Sequence, residues 1–443
     1  MTKRKKGRPR KRIRPEDDPV VQKLNQMFPP DFLERTARET GAFKRDRKVK
    51  PVAMFWVLVL GFGVTLERSL SSLKRRYETE VAEELSSSSW YDRFTPQFRE
   101  FLRRCVLHGI EVQAQQPGRL LKKRLQGFKD LVIQDSTVIR LHKSLMRKWP
   151  ATRTSTVAAG VKVSTVVSAV ADGPHTVRLM GERVAEVKTL RIGPWVRDRI
   201  MLLDLGFFKY GVFDHIQENG GYFVSRLMNG ANPLIVGVNR KWRGRSVPVV
   251  GEHLKDVLPR LKRKVLDLEV EVEFKRRKYN GKRSQAKQRF RLVAVYNDEE
   301  KKYHSYLTNI GVDKLEAEEI ALLYRARWEI ELTFKELKSR YRLDLIPSAK
   351  PEVVEAFIWI GILTLLCSRR IFIMVRSVNP EKASRFTHLR WANTFAEHAY
   401  RLMSAMIESN DIEFSIWTLM DVYQSQAIDP NVNRERLMED WVA

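Results

Sequence analysis

The chain has 443 residues and carries 81 Lys and Arg against 53 Asp and Glu, a net charge of +28. Hydrophobic residues make up 43%, which excludes a wholly disordered chain and allows two or three domains with a sizeable core. The charge excess points to a polyanionic partner; nucleic acid is the commonest, and an anionic membrane surface is the rival.

Residues 1–18, MTKRKKGRPRKRIRPEDD, form a basic run with an acidic stop and no periodicity, so a disordered tail is expected. The N-terminal charges are followed by no apolar stretch of signal-peptide type. Within the tail, Gly7-Arg8-Pro9 followed by Arg10 resembles an AT-hook, whose arginines enter a narrow A·T minor groove. A generic basic tail that grips phosphates is the alternative for Arg8 and Arg10.

Residues 19–115 read as helical. Val52 to Leu60 is apolar on nearly every side, as in a central helix. Thr65 is expected to cap the next helix, Ser86 to Ser89 to form a loop, and Thr95-Pro96 to start a further helix. The longest apolar runs, Val52 to Val64 and Ala356 to Cys367, fall short of the ~20 residues that span a bilayer and read as buried helices. The two cysteines, Cys105 and Cys367, and eight scattered histidines form neither a disulfide framework nor a zinc ligand set.

From about residue 125 the period changes. Leu131–Gln134, Val161–Ala171, Met201–Leu203 and Tyr222–Leu227 read as strands with helical stretches between and after them, which gives an α/β class. Between 229 and 300, Leu266 to Phe274 alternates apolar and acidic residues, Asn280-Gly281 signals a hairpin, and Phe290 to Tyr296 is the return strand. The hairpin tip is basic. Lys275, Arg276, Arg277 and Lys278 there are candidates to lie along DNA, or else form a solvated turn that guards an edge. Beyond 345 the chain reads as helical to its end.

The segment Tyr324 to Lys338, YRARWEIELTFKELK, contains no Gly or Pro and reads as one helix. At about 100° per residue, Tyr324, Arg327, Glu331 and Lys338 fall within an arc of about 60°. One acid, two bases and a phenol on one face indicate a site lining or, as the plainer alternative, a salt-bridged solvated face.

The spacing Tyr-x2-Arg-x3-Glu-x6-Lys resembles the signature of DDE transposases of the insertion-sequence 4 family, matched at all four positions. LVIQDST at 131–137 and LLDLGFF at 202–208 resemble that family's first two acidic motifs. The resemblance covers about 130–345 well and the N-terminal helical region loosely. It implies a ribonuclease-H-like catalytic core (125–228 and 301–345) with a β-rich insertion (229–300). It also implies a helical DNA-end-binding region (19–115) before the core; the C-terminal helical region is 346–443. Asp135, Asp204 and Glu331 are then the catalytic ligands of Mg²⁺ or Mn²⁺, two ions in all, as three carboxylates suit hard divalent cations. Tyr324, Arg327 and Lys338 would contact DNA phosphates. The implied activity is binding of terminal inverted repeats, DNA cleavage and strand transfer. The expected setting is a homodimeric synaptic complex on double-stranded DNA in a prokaryotic cytoplasm, with no membrane. A catalytically silent DNA-binding relative and a related metal-dependent nuclease are the alternatives.

Overall fold

The structure, a computed structural model, describes residues 18–44, 48–116, 118–152, 158–241, 245–276, 284–346, 348–378, 380–407, 423, 426–430 and 438–442. The chain forms two compact units. One comprises Met1–Gln116, Ile139–Val161 and Leu332–Glu435; the other comprises Pro117–Val138, Lys162–Glu331 and Arg436–Ala443.

The first unit is mainly helical. The helices Pro19–Met27, Pro30–Glu39, Pro51–Val57 and Pro96–Gln115 all open on a proline, where the missing N–H costs nothing. Thr95 caps the last of them as expected, its hydroxyl accepting from the Phe98 amide at 3.2 Å. Two expectations fail. Thr65 adopts a left-handed φ of 73°, and Ser69, in a capping box with Ser72, starts the helix at Leu70 instead. Ser86 is also a cap, opening a short helix Ser87–Tyr91 where a loop was expected. The buried helix Pro51–Val57 runs into a π turn, Leu58–Phe62. There Gly63 permits a close approach: a Cβ would lie 1.7 Å from Thr364 Oγ1, which donates to Val59 O at 2.8 Å. The helix Pro351–Val378 has 28 residues and extends past the apolar run Ala356 to Cys367 at both ends. By length and composition it could cross a membrane, but 89% of its most apolar window is buried inside the protein.

The second unit is built on a mixed sheet of nine strands. They are β1 (Asp130–Leu141), β2 (Ala159–Ser168), β3 (Gly173–Gly181), β4 (Arg199–Leu203), β5 (Tyr222–Arg226), β6 (Leu234–Val238), β7 (Val265–Lys275), β8 (Gln285–Asn297) and β9 (Lys302–Thr308), in the order β3-β2-β1-β4-β5-β9-β8-β7-β6. β1, β4 and β5 are mutually parallel; β5 to β6 along the sheet pair antiparallel. β2 runs against β1, since Ser168 bonds Asp130 while Ser164 bonds Gln134. The Leu131–Gln134, Met201–Leu203 and Tyr222–Leu227 strands lie where the apolar runs predict. The alternation from Leu266 to Phe274 is β7, whose buried face includes Leu268, Val270 and Val272. Helix Tyr210–Glu218 packs here through Phe213, stacked on Phe223 at 4.4 Å with Phe290 edge-on to Phe223 at 5.4 Å.

Candidate active site

β1 and β4 pair in parallel register from Asp130↔Arg199 to Gln134↔Leu203. Asp135 and Asp204 are each one residue further on. Two strands about 4.8 Å apart thus deliver two carboxylates at neighbouring positions, at the carboxyl edge where open α/β sheets place their ligands. Asp135 Oδ1 accepts from the Ser136 amide at 2.7 Å. Asp204 opens a 3₁₀ turn, Leu205–Phe207, without spending its side chain on capping it.

The third carboxylate arrives on a helix that is interrupted, not continuous as expected. Ala317–Arg325 ends, the Ala326–Arg327 step tightens with three-residue bonds (Arg327 N to Tyr324 O, 3.0 Å; Ile330 N to Arg327 O, 3.3 Å), and Trp328–Lys335 follows. No Gly or Pro marks the break. A π turn, Glu336–Arg340, then carries Lys338, which lies in the first unit. Burial and the charge of Arg140 push the Lys338 ammonium down from its usual range, and Asp344 opposes this.

Arg327 joins the group. Its Nη2 donates to Glu331 Oε1 at 2.6 Å and its Nη1 lies 3.7 Å from Asp135 Oδ2. Burial works to lower this guanidinium; the Glu331 hydrogen bond and the charges of Tyr324, Asp204 and Glu331 outweigh it and raise it. The Tyr324 hydroxyl donates to Leu203 O at 3.4 Å, beside Asp204, and burial pushes it up to about 12. It therefore stays a donor at neutral pH.

The Asp135 carboxyl is raised from 3.8 to about 6, by burial first, then by Asp204 and Glu186; the Ser136 amide and Arg327 only partly offset this. Among the described residues, no three His, Cys, Asp or Glu side chains stand close enough to grip an ion in this arrangement; Glu331 is held by Arg327 instead. The donor chemistry nevertheless fits a hard divalent cation: oxygen only, with negative charge at Asp135 that Arg327 and the Ser136 amide offset only in part.

One consequence is testable without any reaction. Below 3.8 the carboxyl is protonated in both folded and unfolded chains. Between 3.8 and about 6 only the unfolded chain ionises, so stability falls as pH rises through this window and the cost is constant above it. Asp135→Asn is therefore expected to stabilise the protein in EDTA at pH 8, by on the order of 2 kcal/mol, with the gain gone at pH 3.8. Equal melting temperatures of variant and wild type at pH 8 would refute it.

The remaining sequence candidates are dispersed. Arg8, Arg10, Arg277 and Lys278 lie outside the described residues, as does Asn280-Gly281. Lys275 is exposed at the end of β7. Arg276 is engaged, its Nη2 3.0 Å from Asp214 Oδ2 and 3.3 Å from Glu218 Oε1. Glu186 was missed by sequence reasoning. It accepts from Ser136 Oγ at 3.1 Å, yet stands 50 residues away in the chain and in no recognisable motif.

Neighbouring parallel strands that present two aspartates just past their paired residues, with a glutamate and an arginine on a nearby helix, agree with the family comparison. The family model for the transposase DDE domain matches residues 126–367, more than half of the chain, so the chain belongs to the DDE transposases. It is similar over nearly its whole length to transposases of particular insertion sequences. It is 21% identical to the transposase for insertion sequence element IS231F of Bacillus thuringiensis subsp. israelensis, over 93% of this chain and 92% of the relative. It is 21% identical to the transposase for IS1151 of Clostridium perfringens, over 70% and 71% of the two chains. Among solved structures, the piggyBac transposase synaptic complex with hairpin DNA matches at a TM-score of 0.42 and 12% identity, covering 94% of this chain and 87% of that one. The chain is accordingly a DNA-transposing enzyme, of a family that cleaves and joins DNA with divalent metal ions.

Proposed function

We propose that the chain is a transposase of the insertion-sequence 4 family, in its Tyr-Arg-Glu-Lys branch. It binds the terminal inverted repeats of its own element, cleaves there and transfers the freed strand to target DNA. The observation that carries this reading is the convergence of Asp135, Asp204 and Glu331 on Arg327. The strand order β3-β2-β1-β4-β5, with both aspartates just past the last paired residues of β1 and β4, supports a ribonuclease-H-like core. Its proposed limits are 125–228 and 301–345, with 229–300 as the β-rich insertion, 19–115 as the end-binding region, 346–443 as the C-terminal helical region and 1–18 as the basic tail.

Asp135, Asp204 and Glu331 would hold Mg²⁺ or Mn²⁺, two ions in all. When bound, these ions supply activation of the attacking oxygen and stabilisation of the leaving one. Arg327 is half-buried and always charged, so it can hold a phosphate bidentately beside the carboxylates. Tyr324 offers a neutral donor and braces the end of β4. Lys338 adds a point charge for a phosphate, and Arg8, Arg10 and the residues 275–278 grip DNA away from the chemistry. Two DNA ends must be held together for strand transfer, which favours a homodimer, acting on the nucleoid in a prokaryotic cytoplasm.

The test is to incubate the purified chain with Mg²⁺ and the DNA flanking its own gene. A specific metal-dependent cut at inverted repeats is expected. DNA that is retarded yet uncut in every divalent metal would replace this reading with a binding protein.

A further inference from the structure

We propose that Glu186 is a positioning residue that locks the stretch of β1 carrying Asp135 to the turn that Asp204 opens after β4. This rests on the assignment of those aspartates as the ion-holding pair, and goes beyond it by adding a residue that no motif marks.

The geometry is a clamp. Glu186 opens a 3₁₀ turn, Glu186–Lys188, and its own carbonyl is fixed by the Thr189 amide and hydroxyl, both at 2.7 Å. Thr189 is buried, so the base of the clamp is set in the fold. One carboxylate oxygen, Oε1, accepts from Ser136 Oγ at 3.1 Å, and Ser136 directly follows Asp135. The other, Oε2, fills the space over Gly206, two residues after Asp204: a Cβ on Gly206 would lie 1.8 Å from Oε2 and 3.0 Å from the Glu186 carboxyl carbon. One side chain thus touches β1 just after Asp135 and the turn that follows β4. Such a brace would hold the carboxylates at a fixed separation as ions and DNA arrive, which is what groups behind a metal ligand generally do.

The Gly206 contact also explains a residue choice. Gly206 is spared a Cβ because the Glu186 carboxylate is already there. Because the obstructing atoms are the far end of a flexible side chain, Gly206→Ala should displace that carboxylate and leave the backbone in place. Two different substitutions therefore remove the same clamp, one of them without altering any charge.

The experiment compares wild type with Glu186→Ala, Glu186→Gln, Gly206→Ala and the Glu186→Ala/Gly206→Ala double variant. Each is assayed for Mn²⁺ binding, by loss of the free-ion electron paramagnetic resonance signal, and for cleavage of the flanking DNA. Glu186→Ala and Gly206→Ala are expected to weaken both by about 10–100-fold. The double variant should be no worse than the worse single one, since both act through one contact. Glu186→Gln keeps an acceptor for Ser136 and should recover most of the loss seen in Glu186→Ala. Wild-type Mn²⁺ affinity in Glu186→Ala overturns the proposal. So do multiplying losses in the double variant, or a Gln variant as poor as the Ala, which would make Glu186 a ligand in its own right. Asp204→Ala is the separate control: if it binds Mn²⁺ and cuts like wild type, the ion-holding assignment falls and takes the clamp with it.

Discussion

Glu331→Ala is expected to abolish DNA cleavage, by at least about a thousandfold, while DNA binding survives. The size follows from the proposed role: removing one group that stabilises charge in phosphoryl transfer costs about 10³–10⁵ in rate. Survival of binding follows from the geometry. Glu331 neutralises Arg327 through a 2.6 Å bond, so its loss frees a cation for phosphate and takes no positive charge away. Glu331→Gln sharpens the test. It still offers Arg327 an acceptor, so the helix keeps its local bond, yet it lacks the charge that a hard cation requires. Both variants should be equally dead. Cleavage at the wild-type rate by either would remove Glu331 from the catalytic set.

The second large effect concerns stability. Arg291 on β8 and Asp267 on β7 form a two-pronged ion pair, at 2.8 and 2.6 Å, with side chains 6% and 7% exposed. Arg291 Nη1 also donates to the carbonyls of Ile310, Gly311 and Leu315 at 3.0, 3.1 and 2.7 Å. Leu315 immediately precedes Glu316, the cap of the helix that ends in Tyr324 and Arg325. Arg291→Leu would leave a buried carboxylate and three carbonyls without this partner. A loss of about 3–5 kcal/mol is expected, the cost of breaking a buried pair from one side. In thermal unfolding this is a midpoint lower by on the order of 10 °C. Adding Asp267→Leu should recover part of the loss, because replacing both partners is far cheaper than removing one. Recovery stays incomplete, since the three carbonyls remain. An unchanged midpoint in Arg291→Leu would show that the pair contributes nothing net.

Much of this layout can be read from residues alone, for a physical reason. Asp135 and Asp204 each close an apolar run, and such runs become strands because they can be buried on both faces. Arg327 and Glu331 meet because they are four apart on a helix. What sequence hides is what depends on partners distant in the chain. Glu186 matters through Ser136 and Gly206, and its segment shows no period or motif. The tightening at Ala326–Arg327 has no Gly or Pro to announce it. Thr65 and Ser69 are both plausible caps; the left-handed φ of Thr65 that decides between them is a property of the folded loop.

The paired ladder of β1 and β4 also sets how such a gene can drift and still make a working protein. Side chains alternate faces along a strand, so losing one residue within 199–203 would turn Asp204 to the opposite side of the sheet. The turns between the strands obey no such parity, and doubling the length of a flexible connection costs only about 0.6 kcal/mol. Diverging copies should therefore accumulate small insertions and deletions in the connections. Within the two five-residue ladders, 130–134 and 199–203, the spacing should persist long after the letters have changed.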